Sequence, residues 1–218
     1  MSDDLPPCEF YLISPEKLDP ESFAALLEKT LAAGSVSCFQ LRLPDADEDE
    51  IRVAAKTLAP LVWKYDIPFL LCDHVQLTKE LDLDGVHLEN DLSAKMVKAA
   101  RKLLGNDKSI GVSCRNSRHL AMELGEAGAD YVSFGPVFMS PTKDLPPMED
   151  AMEAIRWWGR MMELPQVAIG GVSPENCDMA VAAGADFIAG ISSIWSAAEG
   201  PEAAMKQFAK ALSEANSR

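Results

Sequence analysis

Gln40 and Arg42 stand two residues apart in the apolar run 38–43, so on a strand both side chains leave by the same face. A buried arginine needs an anionic partner, and two kinds are open to it: an anionic substrate or an internal carboxylate. Asp73 follows the run 68–71, and Asp91 closes the short segment after the run 85–88. Two carboxylates on neighbouring loops suit Mg2+, which takes few carboxylates together with substrate phosphates. Aspartates also cap helices, and Asp91 stands just before Leu92-Ser93, where a helical segment begins.

Glycines supply a second kind of chemistry. Ala168-Ile-Gly-Gly-Val and Ala189-Gly-Ile-Ser-Ser each follow a β-rich run and lead into a helix. Such turns let backbone N–H groups approach a phosphate, or simply turn the chain tightly. Gly135-Pro-Val-Phe-Met-Ser-Pro-Thr-Lys143 carries two hydroxyls and a lysine, the composition of a phosphate clamp, a mobile lid or a solvated loop. His74, His87 and His119 have the spacing of neither a zinc cluster nor a triad, so packed or hydrogen-bonded roles are expected for them.

The elements that must position these residues follow from periodicity. Eight short β-rich runs (10–13, 38–43, 68–71, 85–88, 109–112, 131–134, 166–169 and 187–191) alternate with amphipathic segments at 20–33, 47–65, 93–104, 117–127, 149–162, 174–183 and 200–215. Alternation of this kind predicts parallel βα units. Glu126-Ala-Gly-Ala-Asp-Tyr-Val and Ala182-Ala-Gly-Ala-Asp-Phe-Ile repeat one pattern, with a looser echo at Leu83-Asp-Gly-Val-His-Leu. In each a helix closes at a glycine and a strand starts at once. Eight such units in 218 residues predict a single-domain α/β fold of the (β/α)8 TIM-barrel type. A doubly wound sheet is the runner-up, but no GxGxxG follows the first run.

Composition narrows the partners. The net charge of −14 repels polyanions, which argues against nucleic acid or an anionic membrane surface, so an anionic ligand must find a local positive pocket. No apolar run approaches the length of a membrane span, and residues 1–7 lack the apolar stretch of a signal peptide. A cytoplasmic protein is expected, with residues 1–8 a flexible N-terminal segment. Five cysteines without a CxxC pair predict reduced thiols.

In order, Phe10-Tyr-Leu-Ile, Phe39-Gln-Leu-Arg, Leu71-Cys-Asp, Gly85-Val-His-Leu, Ile110-Gly-Val-Ser, Asp130-Tyr-Val-Ser-Phe-Gly-Pro-Val-Phe, Ser140-Pro-Thr-Lys, Ala168-Ile-Gly-Gly-Val and Ile191-Ser-Ser-Ile resemble the thiamine phosphate synthase family over nearly the whole chain. The resemblance implies a (β/α)8 barrel transferase that joins hydroxymethylpyrimidine diphosphate to hydroxyethylthiazole phosphate with Mg2+, releasing pyrophosphate by a dissociative route. It implies that Gln40, Arg42, Asp73, Asp91, Ser113, Thr142 and Lys143 surround the pyrimidine diphosphate, with Asp73 and Asp91 holding the metal and Arg42, Ser113 and Lys143 acting in catalysis. Ser140 stands where the family usually has threonine. Gly171, Ile191 and Ser192 match positions that hold the thiazole phosphate. The resemblance leaves room for a homodimer.

Three departures stand out. Pro44 occupies the place of a family lysine, Cys72 that of an asparagine, and Glu89-Asn90-Asp91 shortens the usual Gly-Gln-x-Asp. Two alternatives remain beside the synthase: a thiazole tautomerase-like enzyme, against which Pro136 stands where that relative has histidine, and a non-catalytic binder of thiazole phosphate or another small phosphate.

Overall fold

The computed structural model describes residues 6–90, 92–139 and 146–218. The β-rich runs form strands Glu9–Ile13 (β1), Cys38–Leu41 (β2), Phe69–Cys72 (β3), Gly85–Leu88 (β4), Ser109–Arg115 (β5), Tyr131–Phe134 (β6), Gln166–Ala168 (β7) and Phe187–Gly190 (β8). Each pairs in parallel with the next, and β1 pairs with β8 to close the barrel. The chain is therefore the expected single-domain (β/α)8 barrel.

The helices are Pro20–Ala32 (α1), Glu48–Trp63 (α2), Val75–Glu80 (α3), Ala94–Leu104 (α4), Arg118–Glu126 (α5), Ala151–Met161 (α6), Cys177–Ala182 (α7), Ser192–Trp195 (α8) and Pro201–Asn216 (α9). Their starts follow from local chemistry. Asp19, Asp47, Ser93 and Ser117 each accept a backbone N–H of the first turn, and Asp47 and Glu50 complete a capping box. The cap of α4 is Ser93. The amphipathic pattern missed α3 and α8, of six and four residues.

Strand alternation divides the core in two. Phe10, Leu12, Phe39, Phe69 and Phe134 point outward and pack with Leu27, Leu58, Trp158 and Phe208 of the helices. Tyr11, Ile13, Cys38, Leu70, Tyr131, Val167 and Ala189 fill the interior. This filled interior leaves the strand C-terminal rim as the place for a site.

The internal repeat has a structural cause. Gly128 and Gly184 take positive φ after α5 and α7, as expected for helix-terminating glycines. Two residues on, Asp130 and Asp186 accept a backbone N–H at the start of the preceding strand, from Ile110 (2.6 Å) and Gln166 (2.8 Å). Asp84 in the looser echo does the same for Phe69 (2.8 Å). There the positive φ belongs to Asp82, while Gly85 lies within β4, where a Cβ would meet the Ser109 carbonyl oxygen at 2.2 Å. The repeat thus ties the barrel floor at β3, β5 and β7.

Cys8 is buried, and its N–H and carbonyl both bond the Asn216 side chain at 2.9 Å. These bonds join the last helix to the start of β1. Asn216→Ala should lower unfolding free energy by about 1–2 kcal/mol, read from the urea midpoint, because two backbone groups lose their partner. All five cysteines are free thiols. Among the described residues, no helix is long and apolar enough to cross a membrane.

Candidate active site

Arg42 emerges directly from β2 at the rim, with its backbone pinned by Ser14, whose hydroxyl accepts from the Arg42 N–H at 2.9 Å and donates to its carbonyl at 3.2 Å. Its Nε donates to both oxygens of Glu89 at 3.0 Å, and its Nη1 donates to Glu16 at 2.7 Å. The internal carboxylate partner left open by the sequence is therefore present, twice over. Burial works against the guanidinium charge, but Glu89 and Glu16 outweigh it and hold Arg42 above its ordinary value.

Asp73 does not cap α3, whose N-cap is His74 and which has no side-chain cap bond. It sits at positive φ (62°) and faces the loop after β4, accepting the N–H of Glu89 (2.7 Å), the N–H of Asn90 (3.3 Å) and the Asn90 side-chain amide (2.7 Å). Asn90 thus supplies an amide to Asp73 beside Cys72. Burial, then the charges of Glu89 and Asp73, push the Cys72 thiol well above its ordinary value and keep it protonated at neutral pH. Pro44 is exposed and brings no charge to the rim.

Asp91, Ser140, Thr142 and Lys143 lie outside the described residues. Among those described, no three His, Cys, Asp or Glu residues are grouped to hold a metal. The donor chemistry nevertheless suits Mg2+: Asp73 offers hard carboxylate oxygens beside Glu89, the neighbouring sulfur is a thiol rather than a thiolate, and Mg2+ ordinarily draws its remaining ligands from water and substrate phosphate.

Below the rim, Gln40 is buried inside the barrel as expected from its spacing with Arg42. The Tyr11 hydroxyl donates to Gln40 Oε1 at 2.9 Å, while Gln40 Nε2 has no partner among the described residues. A buried amide N–H without an acceptor costs about 1–3 kcal/mol. His87 meets the hydrogen-bonded role expected of it, with Nδ1 at 3.0 Å from the Tyr131 hydroxyl. His119 is exposed on α5. Ser113, half-buried, pairs in register with Ser133, just before β5 shifts register toward Arg115.

Across the opening, Gly170 (φ 96°) and Gly171 (φ 66°) turn the chain after β7. Here the absent Cβ serves loop packing: one on Gly170 would meet Pro136 Cβ at 2.4 Å, and one on Gly171 the Met139 carbonyl oxygen at 2.2 Å. Val137 and Phe138 bond the carbonyls of Ile169 and Gly170 at 2.9 and 3.0 Å. A recess of about 20 Å³ lies among Gly170, Gly171, Ile191, Ser192 and Ser193, room for about one water-sized atom. It adjoins a cavity of about 610 Å³ lined by Glu16, Met139, Gly171, Ile191, Ser192 and Trp195, among others.

The structure therefore links Arg42 and Asp73 through Glu89 on one side of the rim, with Gln40 below them inside the barrel, and groups Gly171, Ile191 and Ser192 on the other. Sequence reasoning did not assign roles to Glu16, Glu89, Tyr11 or Tyr131. For the tyrosines a signal existed, since both fall on interior-facing strand positions. For the two glutamates none did.

Known proteins resemble this chain along most of its length. The profile of the family described as thiamine monophosphate synthase matches residues 10–194. A thiamine-phosphate synthase of Rhodospirillum centenum is 43% identical over 205 residues, covering 94% of this chain and 98% of that relative. One of Erythrobacter litoralis is 44% identical over 213 residues, covering 96% and 97%. The solved thiamine phosphate pyrophosphorylase of Pyrococcus furiosus superposes with a TM-score of 0.79 at 28% identity, covering 95% of this chain and 96% of that one. With the family profile spanning most of the barrel and close relatives aligned end to end, this chain belongs to the thiamine monophosphate synthase family.

Proposed function

We propose that the barrel mouth joins hydroxymethylpyrimidine diphosphate to hydroxyethylthiazole phosphate, giving thiamine phosphate and pyrophosphate. One observation carries the reading: Glu16, which holds Arg42, also lines the cavity containing Gly171, Ile191 and Ser192. A cationic anchor and a backbone-lined recess thus share one opening, which suits two anionic substrates that must meet.

In this reading the diphosphate takes Arg42 from Glu89 and Glu16, exchanging one set of anionic oxygens for another. Gln40, Ser113, Ser140, Thr142 and Lys143 surround the pyrimidine diphosphate. Asp73 and Asp91 would hold Mg2+, which supplies neutralisation of the diphosphate charge when bound. The bond between the pyrimidine methylene and the diphosphate oxygen breaks first, and its electron pair leaves with pyrophosphate. Arg42 and Lys143 meet the charge that accumulates there. The thiazole nitrogen, positioned by its phosphate against Gly171, Ile191 and Ser192, then gives its lone pair to the methylene cation.

Such a reaction needs no protein nucleophile, in keeping with a thiol at Cys72 that stays protonated. The ligands are small phosphorylated molecules, and the net charge of −14 disfavours nucleic acid.

The test is to incubate the purified protein with both substrates and Mg2+. Thiamine phosphate and pyrophosphate are expected in equal amounts. Thiazole phosphate binding without product at high protein concentration would replace the synthase by a non-catalytic binder, and isomerisation of the thiazole phosphate alone would favour a tautomerase.

A further inference from the structure

Glu16 stands between the two halves of the site, on the short connection from β1 to α1. The start of that connection is pinned twice: the Ser14 N–H donates to the Gln40 carbonyl at 2.9 Å, and the Ile13 carbonyl accepts from Trp195 Nε1 at 2.6 Å. At its other end Asp19 caps α1. The Glu16 carboxylate accepts from Arg42 Nη1 at 2.7 Å, and the residue also lines the cavity that Gly171, Ile191, Ser192 and Trp195 share.

The two carboxylates on Arg42 are not held alike. Glu89 takes Nε with both oxygens at 3.0 Å, its side chain is 15% exposed, and its own N–H is bonded to Asp73 at 2.7 Å. Glu16 uses one oxygen, its side chain is 37% exposed, and Arg42 is its partner among the described residues. An arriving diphosphate therefore displaces Glu16 more easily than Glu89, and the displaced carboxylate is left at the edge of the cavity without its cation. The small recess among Gly170, Gly171, Ile191, Ser192 and Ser193 does not include Glu16, whereas the larger cavity beside it does. With the thiazole phosphate seated against the recess, the thiazole ring occupies the cavity that Glu16 and Trp195 line.

We propose that Glu16 is a catalytic carboxylate which, once the diphosphate has taken Arg42 from it, contacts the thiazole ring and stabilises the positive charge that the ring acquires. The proposal rests on the substrate reading given above. In the joining step the lone pair of the thiazole nitrogen forms the bond to the pyrimidine methylene, and the positive charge passes from that methylene to the ring, which becomes a thiazolium. No proton moves, and Glu16 stays a carboxylate throughout. The ring of the substrate is neutral, so the attraction grows as the bond forms and lowers the barrier without tightening the ground-state complex. Before the diphosphate arrives, Arg42 neutralises Glu16, so the carboxylate becomes available only when the pyrimidine half is in place.

Glu16→Gln keeps the shape of the side chain and an acceptor for Arg42 but removes the charge. It should lower kcat about tenfold while KM for thiazole phosphate stays within about twofold of wild type. KM for hydroxymethylpyrimidine diphosphate should fall, because a neutral amide competes less for Arg42. Calorimetry in the presence of Mg2+ and pyrophosphate reads the charge apart from turnover. Thiamine phosphate, which carries the thiazolium, should bind about tenfold more weakly to Glu16→Gln than to wild type, and thiazole phosphate within about twofold of it. Equal losses for both ligands, a kcat within about twofold of wild type, or a raised KM for the pyrimidine diphosphate, as for a residue that only holds Arg42, each overturn the proposal. Glu16→Ala decides in the same way if Glu16→Gln does not fold. Wild-type protein that makes no thiamine phosphate from the two substrates would overturn the substrate reading, a result distinct from an active wild type beside an unimpaired Glu16→Gln.

Discussion

Arg42→Met should lower kcat/KM for hydroxymethylpyrimidine diphosphate by roughly 10³-fold, because two charge-assisted contacts of about 1.5–3 kcal/mol each are lost where the leaving group gathers charge. The same change strands Glu89 and Glu16, which now share the guanidinium. Removing one partner of a fully buried pair costs about 3–5 kcal/mol, and the 37% exposure of the Glu16 side chain reduces this to about 2. Stability and activity can be separated. Adding Glu89→Leu to Arg42→Met removes the stranded carboxylate and should recover most of the lost stability in urea unfolding while leaving activity low. Recovery of activity in the double variant would mean that Arg42 serves only to hold Glu89. Arg42→Lys should fall between the two, since an ammonium keeps the charge but cannot reach Glu16 and Glu89 with separate nitrogens.

Gly171→Ala should cost about 3 kcal/mol of stability and raise KM for thiazole phosphate at least about tenfold. Alanine pays about 1–2 kcal/mol for the left-handed conformation at φ 66°. The remainder comes from the Met139 carbonyl oxygen, 2.2 Å from the new Cβ, and the Phe138 carbonyl carbon, 2.8 Å away. Both are backbone atoms, so relief requires the loop after β6 to move away from the loop after β7. Met139 leads directly into Ser140, so the displacement also reaches the segment bearing Thr142 and Lys143, and KM for the pyrimidine diphosphate should rise as well. Thermal unfolding and initial rates with each substrate varied in turn check this. A variant with unchanged Tm and a raised KM for thiazole phosphate alone would show that Gly171 touches the phosphate and does not hold the two loops together.

The barrel was legible because its cause is periodic. Alternation of period two placed Gln40 on an interior face, as found, and the same alternation sets Tyr11 and Tyr131 inside and Phe10, Phe39 and Phe134 against the helices. Strand ends moved by one to three residues: β2 stops at Leu41, where Arg42 turns to the rim, and β5 runs on to Arg115 through its register shift. Helices α3 and α8 escaped notice, since one or two turns give helical periodicity little to show, although the equally short α7 fell within the segment 174–183.

By itself, the sequence determined the fold, the family, the interior face of Gln40 and the rim positions of Arg42, Asp73, Gly171 and Ser192, since these depend on local pattern and on motifs a few residues long. Which charges meet was decided only by closure of the barrel. Arg42 finds Glu16 and Glu89 at separations of 26 and 47 residues, and Tyr11 finds Tyr131 at 120. No local rule links residues so far apart in the chain. Their contact follows from strand order and register, and it turns an arginine with two candidate partners into one already neutralised, beneath which a buried amide is left with a donor to spare.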